Sequence, residues 1–236
     1  MDISQIRHGI VCFTFDDARY KEWLPLIPMF EKYDARMTFF FDKEITSEAI
    51  DAMKELQRHH HAIGLHTLRH TDAPEVFAER GGDAYLAEEI LPQLDACRKA
   101  ALAIRNFAYP NNRSTPESDA FLSEKCGFTR FRARMATPYE KGNWIADYDC
   151  AFYPLDKIAD THTLAGPGIG AYYGSTQENL DSALERAANE NHMIVFFSHG
   201  ISMTPGLVDV STEMLERTLQ KACALDMTIA SFDDLP

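Results

Sequence analysis

The chain has 236 residues, of which 45% are hydrophobic and 25% are charged, a composition typical of a globular protein. Its 36 acidic and 23 basic side chains give a formal net charge of −13, which argues against nucleic acid as a partner because it repels phosphate backbones. No apolar run approaches the roughly 20 residues needed to cross a bilayer. The five cysteines are scattered without a CxxC pair, which argues against a disulfide framework or a thiolate zinc site.

The first eight residues lack the charged and apolar regions of a secretory signal peptide. Two localisations follow from this. The protein is cytoplasmic if Met1 is the natural start, and otherwise it is exported after removal of a leader that this sequence does not include.

Strand-like and helix-like patterns alternate along the chain. In chain order they predict a strand at 9–15, a helix at 22–33, a strand at 36–41, a helix at 47–57 and a strand at 61–65. A long helical pattern follows at 83–103, and we expect Pro92 to kink it or to divide it into two pieces. The remaining elements are a strand at 106–109, a helix at 116–125, a strand at 128–133, a helix at 177–191, a strand at 193–197, a helix at 212–225 and a strand at 227–231. Residues 134–175 are rich in Tyr, Gly and Pro, and we expect loops over a site there.

Repetition of strand and helix in this order predicts a parallel sheet with right-handed crossovers. The strands are apolar on both faces, so both faces of the sheet should be covered. About seven such units fit a single α/β domain over residues 1–236, a distorted (β/α)7 barrel of the TIM-like type. In such barrels the catalytic groups lie at the carboxyl ends of the strands.

Polar residues follow four of the predicted strands at that end. They are Asp16 and Asp17, His66 with His70 four residues later, Asn111 to Arg113, and His199. Each alone has an ordinary explanation, such as a helix cap or a surface histidine. Those explanations do not predict that all of them share one end of the barrel. His59, His60 and His61 are interpreted as surface or hydrogen-bonded residues outside the site.

One carboxylate and two imidazoles, from Asp17, His66 and His70, would form a divalent metal site with a position open for water or substrate. Zinc is the expected ion, and other divalent transition metals are alternatives. The i, i+4 spacing of the histidines places both rings on one face if that stretch is a helical turn. Asp16 is then available as a base, and His199 can act as the acid.

Three short motifs carry a family resemblance. They are Thr14-Phe15-Asp16-Asp17, the segment from His66 to His70 that reads H-T-L-R-H, and Ser198-His199-Gly200. In this order they resemble the polysaccharide deacetylases of carbohydrate esterase family 4, the NodB homology domain, from about Gly9 to about Leu235. The resemblance implies that Asp16 is the base, that Asp17, His66 and His70 bind the metal, and that His199 is the acid.

The sequence departs from the family pattern at several positions. Ala18 replaces the usual glycine after the Asp pair, and Ala108 stands where an arginine commonly helps to hold the base. Asn112 occupies a glycine position, which its tolerance of positive φ allows. Alignment with the family implies that the backbone N–H of Asn111 is the oxyanion donor.

Three further residues are expected to bind substrate: Tyr109, Pro110 and Trp144. The family also has a fourth motif, an Asp with a nearby Trp, for which Trp144 with Asp147 or Asp149 is the candidate. Trp144 could equally be an aromatic residue of the core.

The resemblance and the residues together predict metal-dependent removal of acetyl groups from N-acetylated sugars or polysaccharide, so an acetylated glycan is the expected partner. One alternative is an O-deacetylase that acts on acetylated polysaccharide such as xylan. An alternative of a different functional class is a barrel that binds glycan without catalysis. The missing arginine favours this alternative, and the retained Asp16 argues against it. The residues do not indicate an oligomeric state.

Overall fold

The computed structural model describes residue 6 and residues 8–133 and 149–236. Within these ranges the strands are β1 (Ile10–Phe15), β2 (Thr38–Phe41), β3 (Ala62–Leu65), β4 (Asn106–Ala108), β5 (Arg130–Ala133), β6 (Phe152–Pro154), β7 (Thr163–Ala165), β8 (His192–Ser198), β9 (Ile201–Ser202), β10 (Val210–Ser211) and β11 (Thr228–Ile229). The α-helices are α1 (Tyr20–Trp23), α2 (Ile27–Lys32), α3 (Ser47–Arg58), α4 (Ala73–Arg80), α5 (Gly82–Tyr85), α6 (Leu91–Lys99), α7 (Pro116–Cys126), α8 (Gln177–Glu190) and α9 (Thr212–Ala224).

The main sheet runs in the order β6-β8-β1-β2-β3-β4-β5-β7, with β11 also paired to β1. Its strand pairs are parallel except β6–β8, which is antiparallel. A short parallel bridge between Gly168 and Phe197 links the segment after β7 to β8 at the carboxyl end. The curled, mostly parallel sheet with helices outside confirms the predicted α/β barrel.

Side-chain alternation along the strands separates two apolar clusters. In β1, Val11, Phe13 and Phe15 pack against the helices, whereas Ile10 and Cys12 point into the barrel. Because successive strand residues face opposite sides, Thr14 and Asp16 continue the interior row. The same alternation turns Ala108 of β4 and Phe40 of β2 inward. The barrel interior therefore ends in polar groups at its carboxyl end.

Local signals in the sequence account for most helix ends. The Thr46 side chain caps α3 by accepting from Ala49 N at 3.2 Å. Helix α7 begins with Pro116 and ends at Gly127, whose φ of 75° is left-handed. These bounds agree closely with the predicted helices at 47–57 and 116–125.

Prolines explain two of the differences from the predicted elements. The helix predicted at 22–33 is divided into α1, a 3-10 turn at Leu24–Leu26 and α2, with Pro25 in the turn and Pro28 in α2. The helix predicted at 83–103 contains a π-helical segment, Leu86–Ile90, that ends just before Pro92. Helix α4 was not predicted, although Pro74 in its first turn and Gly81 just after its end are typical of helix boundaries. No helix in the described ranges is long and apolar enough to cross a membrane.

His61 differs from its two neighbours, because it is buried while His59 and His60 lie at the end of α3. Its Nδ1 accepts a hydrogen bond from Met37 N at 3.1 Å, and the Phe39 ring meets it edge-on at 5.5 Å. Burial lowers the pKa of His61 from 6.5 to about 4. The interior therefore holds the neutral imidazole.

This burial predicts a pH-dependent stability. Between about pH 6.5 and 4 the unfolded chain takes up a proton at His61 that the folded chain does not, so stability falls as the pH falls through this window. From pH 7 to pH 5 the free energy of unfolding should fall by about 2 kcal/mol more in the wild type than in His61→Gln, which has no imidazole to protonate. Urea unfolding at both pH values measures this, with His60→Gln as the exposed control. Equal pH slopes in all three proteins would contradict the prediction.

Candidate active site

A cavity of about 380 Å3 opens at the carboxyl ends of β1, β3, β4, β5 and β8. It is lined by Asp16, His66, His70, Tyr109, Asn111, Asn112, Arg132, Tyr172, Tyr173, Phe197, His199 and Val208. A larger cavity of about 610 Å3 lies at the amino ends of the strands, beside Arg105 and Asp233. The smaller cavity is the candidate active site, because the metal-type cluster found in the described part of the chain lies at the carboxyl end.

Asp17, His66 and His70 form that cluster, with their ligand-type atoms all within 4.8 Å of one another. Within it, His66 Nε2 lies 3.7 Å from Asp17 Oδ1. Asp17 Oδ1 is buried and has no hydrogen-bond partner among the described residues. A buried carboxylate oxygen left without a donor, beside two imidazoles, suits a divalent cation. The three side chains therefore fit the metal that the sequence predicts.

The orientation of His66 also favours metal binding. Its Nδ1 lies 2.8 Å from the carbonyl oxygen of Ala108, so Nδ1–H donates there and the Nε2 lone pair faces Asp17. Burial lowers the pKa of His66, which favours the neutral imidazole that a metal requires. Position 108 thus serves the site through its main chain.

The backbone between the two histidines is not the helical turn that the i, i+4 spacing suggested. Thr67 and His70 have φ values of 70° and 57°, in the left-handed region. The chain therefore turns between the two histidines without forming a helix. The imidazole rings of His66 and His70 nevertheless lie 5.0 Å apart, measured between centroids. The predicted proximity is found, but its proposed cause was wrong.

Two buried side chains from the segment around Pro92 hold this loop. Glu89, in the π-helical segment Leu86–Ile90, accepts from Arg69 N and from Arg69 Nε, both at 2.8 Å. Gln93 Nε2 donates to Thr67 O at 3.1 Å. A π-helical turn shifts the side chains that follow it relative to a regular helix. The kink predicted from a proline therefore supports the histidine loop.

Asp16 lies beside the cluster and is 2% exposed. Its backbone N donates to Ser198 O at 3.0 Å, and its Oδ2 lies 3.9 Å from His66 Nε2. Burial alone would raise the pKa of Asp16, but the charge of Arg132, followed by His66 and His199, outweighs it and lowers the pKa below its usual value. Asp16 is therefore a carboxylate, the form that a base requires.

Arg132 is the site residue that the sequence interpretation missed. It lies in β5, is 1% exposed, and its guanidinium contacts both Asp16 Oδ2 and Asn112 Oδ1. The same group lies over the ring of Phe197 at 4.8 Å. One signal was present in the sequence: an arginine in a predicted buried strand, next to a strand in which Ala108 replaces an arginine.

His199 follows β8 and faces the cluster from the other side. Its Nδ1 lies 3.2 Å from Val208 O, so Nδ1–H donates to that carbonyl and Nε2 points toward Asp17, 3.9 Å from Oδ2. Trp23 Nε1 fixes the backbone by donating to His199 O at 3.0 Å. The ring is thus oriented with Nε2 toward the cavity.

Of the fourth-motif candidates, Asp149 alone lies within the described residues, and it does not contact His199. Trp144 and Asp147 lie outside the described residues. Asp149 has a 94% exposed side chain and pairs with Arg186 at 2.5 Å, away from the cavity lining. Within the described ranges, a main-chain carbonyl therefore occupies the Nδ1 side of His199.

Two of the substituted family positions, Ala18 and Asn112, have left-handed backbone. Asn112 has a φ of 56°, as expected for asparagine in place of glycine, and its neighbour Asn111 has a φ of 54°. The Asn111 side chain donates to Asp72 Oδ1 at 3.0 Å, which anchors the turn. Ala18 has a φ of 49°, so its methyl group is strained where glycine would not be. That substitution is therefore not the mild one that a right-handed backbone would allow.

Two of the three predicted substrate residues lie in the described ranges, and both are buried. Tyr109 lines the cavity, with its ring packed on Phe131 at a centroid distance of 5.8 Å, whereas Pro110 is not among the lining residues. Trp144 lies outside the described residues. Tyr172, which sequence reasoning did not select, is 52% exposed at the cavity mouth.

Comparison with known structures finds the same barrel. A chitin deacetylase from the fungal pathogen Colletotrichum lindemuthianum is 13% identical with a TM-score of 0.64, over 97% of this chain and 87% of that one. A family 4 carbohydrate esterase from Streptomyces lividans, in complex with acetate, is 13% identical with a TM-score of 0.58, over 93% and 91%. A CE4 family pseudoenzyme from Bacillus anthracis is 14% identical with a TM-score of 0.59, over 98% of this chain and 66% of that one.

At this level of identity the likenesses show the fold alone. No curated protein sequence matches the chain significantly. The family model described as polysaccharide deacetylase matches residues 5–129, more than half of the 236 residues. The chain therefore belongs to the polysaccharide deacetylase family, carbohydrate esterase family 4.

Proposed function

We propose that the protein is a metal-dependent hydrolase that removes acetyl groups from N-acetylated sugars or polysaccharide. The observation that carries this proposal is the convergence of the Asp17, His66 and His70 cluster with Asp16 and His199 around one cavity. Membership of a deacetylase family supports an acetylated carbohydrate as the substrate.

The donor set would hold the cation through Asp17, His66 Nε2 and His70. A bound divalent cation would supply Lewis-acid chemistry, polarising the acetyl carbonyl and lowering the pKa of a water molecule. Ala108 O keeps the proton of His66 on Nδ1 and so leaves Nε2 free to bind. The expected ion is zinc, and another divalent transition metal would use the same donors.

Asp16 is proposed as the base. Its Oδ2 is engaged by Arg132, whereas its buried Oδ1 has no partner among the described residues and can accept the proton of the attacking water. The backbone N–H of Asn111 is proposed to donate to the oxyanion, a contribution of roughly 3–4 kcal/mol where one such donor has been removed.

His199 is proposed as the acid that protonates the leaving group through Nε2. Donation of Nδ1–H to Val208 O keeps the ring in place while Nε2 gives up its proton. An amine leaves poorly without protonation, whereas an alcohol from an ester depends on it less. The role of His199 therefore bears on the choice between N-acetyl and O-acetyl substrates.

The O-deacetylase remains the second candidate. Among the described residues a main-chain carbonyl, and not a carboxylate, accepts from His199 Nδ1, and an ester makes the smaller demand on this acid because its alcohol leaves more readily than an amine. Acetate release from N-acetylglucosamine oligomers and from acetylated xylan, with the metal-loaded protein, compares the two. Binding of either glycan without acetate release would support the glycan-binding alternative and contradict the proposed hydrolase.

Two adjacent aspartates provide the first test. Asp17→Asn should lose bound metal and activity, with partial recovery in excess metal, because it removes a ligand. Asp16→Asn should keep its metal while the rate falls by about 10²–10⁴, without recovery. Elemental analysis and acetate release with and without added zinc measure both effects. Loss of the ion in Asp16→Asn, or near-full turnover, would show that the roles are misassigned.

His199 provides the second test. We expect His199→Gln to slow amide hydrolysis by about 10²–10⁴ and ester hydrolysis by much less, because only the amine needs the proton to leave. The measurement is kcat on a matched pair of N-acetyl and O-acetyl oligosaccharides. Equal losses on both substrates would argue against His199 as the acid.

Tyr172 provides the third test, for substrate recognition. The loop is fixed by Tyr172 N donating to Leu207 O at 2.9 Å, and it presents an exposed aromatic ring at the cavity mouth. We expect Tyr172→Ala to raise KM for a tetrasaccharide about tenfold through the loss of a stacked sugar ring. Tyr172→Phe should keep the wild-type KM, and a small acetyl ester should be hydrolysed at the same rate by all three. An unchanged tetrasaccharide KM would remove Tyr172 from the site.

A further inference from the structure

We infer that Arg132 is the positioning residue for Asp16, and that it supplies from β5 the contact that Ala108 cannot make from β4. The inference rests on the proposed function, in which Asp16 is the base. It adds a residue that the family motifs of this sequence do not include, and it assigns separate tasks to the two oxygens of Asp16.

The first support is the contact itself. Arg132 Nη2 reaches Asp16 Oδ2, and Nη1 reaches Asn112 Oδ1. Arg132 and Asp16 are 1% and 2% exposed, so neither charge is solvated by water and each depends on the other. The planar guanidinium holds two acceptors in fixed directions, which a lysine ammonium does not do. Asp16 is thereby held in one rotamer.

As a result, the two carboxylate oxygens of Asp16 have different roles. Oδ2 is occupied by Arg132, whereas Oδ1 is buried without a partner in the part of the chain that the structure describes. The oxygen with free lone pairs is therefore Oδ1. Arg132 determines which oxygen of Asp16 receives the proton.

The second support is strand register. Ala108 and Arg132 are direct partners in the parallel β4–β5 ladder, so their side chains point to the same face. Ala108 belongs to the apolar cluster inside the barrel, and Arg132 lies over Phe40 of that cluster at 5.8 Å. The small methyl group of Ala108 leaves room for the arginine beside it. A second guanidinium at position 108 would compete for the same carboxylate.

The third support is Asn112. Its positive φ suits a position where the family usually has glycine. Its Oδ1 accepts a hydrogen bond from Arg132 Nη1. A glycine there would leave Nη1 without this acceptor. The arginine thus joins the base to the turn that carries the proposed oxyanion donor, Asn111. One guanidinium therefore accounts for two of the departures from the family pattern, Ala108 and Asn112.

The test begins with kcat and metal content of Arg132→Met. We expect kcat to fall about 100-fold, as for a misplaced catalytic group, while bound metal and KM stay within a few-fold. Arg132→Lys should lose nearly as much, because a single ammonium cannot hold both acceptors. If Arg132 acts through Asp16, then Asp16→Asn with Arg132→Met should be no slower than Asp16→Asn alone. Multiplicative losses in the double variant would overturn the inference.

Arg130 is the matched control, because it precedes Arg132 by two residues on the same face of β5 and is 4% exposed. Its guanidinium donates to main-chain carbonyls at the other end of the barrel, including Ile158 O at 3.0 Å. Arg130→Met should lower thermal stability while kcat per folded molecule stays within a few-fold. A loss of kcat equal to that of Arg132→Met would reduce Arg132 to a structural role.

Transfer of the arginine from position 132 to position 108 tests the inference by a gain of activity. Arg132→Ala should be slow, and Ala108→Arg combined with Arg132→Ala should recover at least tenfold in kcat, because the two positions are paired across the ladder. A double variant that folds and binds metal yet is no faster than Arg132→Ala would contradict the exchange between strands.

A crystal structure of the metal-loaded wild type and of Arg132→Met separates this inference from the proposed function. We expect Asp16 to keep one rotamer against Arg132 in the wild type and to change rotamer in the variant. Those results support the inference even if the wild type releases no acetate, an outcome that would refute only the proposed function. An unchanged Asp16 in Arg132→Met would overturn the inference whatever the activity.

Discussion

The site depends on the pairing of β1 with β8. Six consecutive parallel pairs run from Ile10 opposite Met193 to Phe15 opposite Ser198, and Asp16 N extends the ladder by donating to Ser198 O. This register places the ends of both strands side by side, so two aspartates and His199 emerge together. Both strands are buried over nearly their whole length, and a one-residue slip would turn every side chain to the wrong face. The hydrophobic pattern of the strands therefore fixes the relative position of the polar groups that follow them.

Beyond the strand ends, the site is built on left-handed backbone. Asp17 and Ala18, Thr67 and His70, and the Asn111–Asn112 pair all have φ values between 49° and 70°. Such conformations cost of order 1 kcal/mol or more for residues other than glycine and persist only where the surroundings hold them. Glu89, Gln93 and Asp72 supply the holding contacts for the last two of these loops. Part of the folding energy of the barrel thus maintains the geometry of its carboxyl-end loops.

The sequence could predict what is encoded locally. Asp16 and His199 directly follow apolar strands, and parallel strands bring the residues that follow them to the same end of the barrel. Arg132 could not be assigned in the same way, because its partner Ala108 is known only once β4 and β5 are aligned residue by residue. His61 was hard to interpret for a related reason: a histidine next to exposed histidines shows its burial only when the packing of Phe39 is known. Long-range register, and not local propensity, is the information that one sequence lacks.

The pairing of Ala108 with Arg132 also constrains how such a site can change over time. Arginine at both positions would crowd two cations around one buried carboxylate, and arginine at neither would leave that carboxylate without a counter-charge. Each single substitution between the two arrangements therefore passes through a poorer protein. The two arrangements are therefore separated by single substitutions that each weaken the site. Because Ala108 serves His66 through its carbonyl oxygen, the metal side of the site is insensitive to which strand carries the arginine.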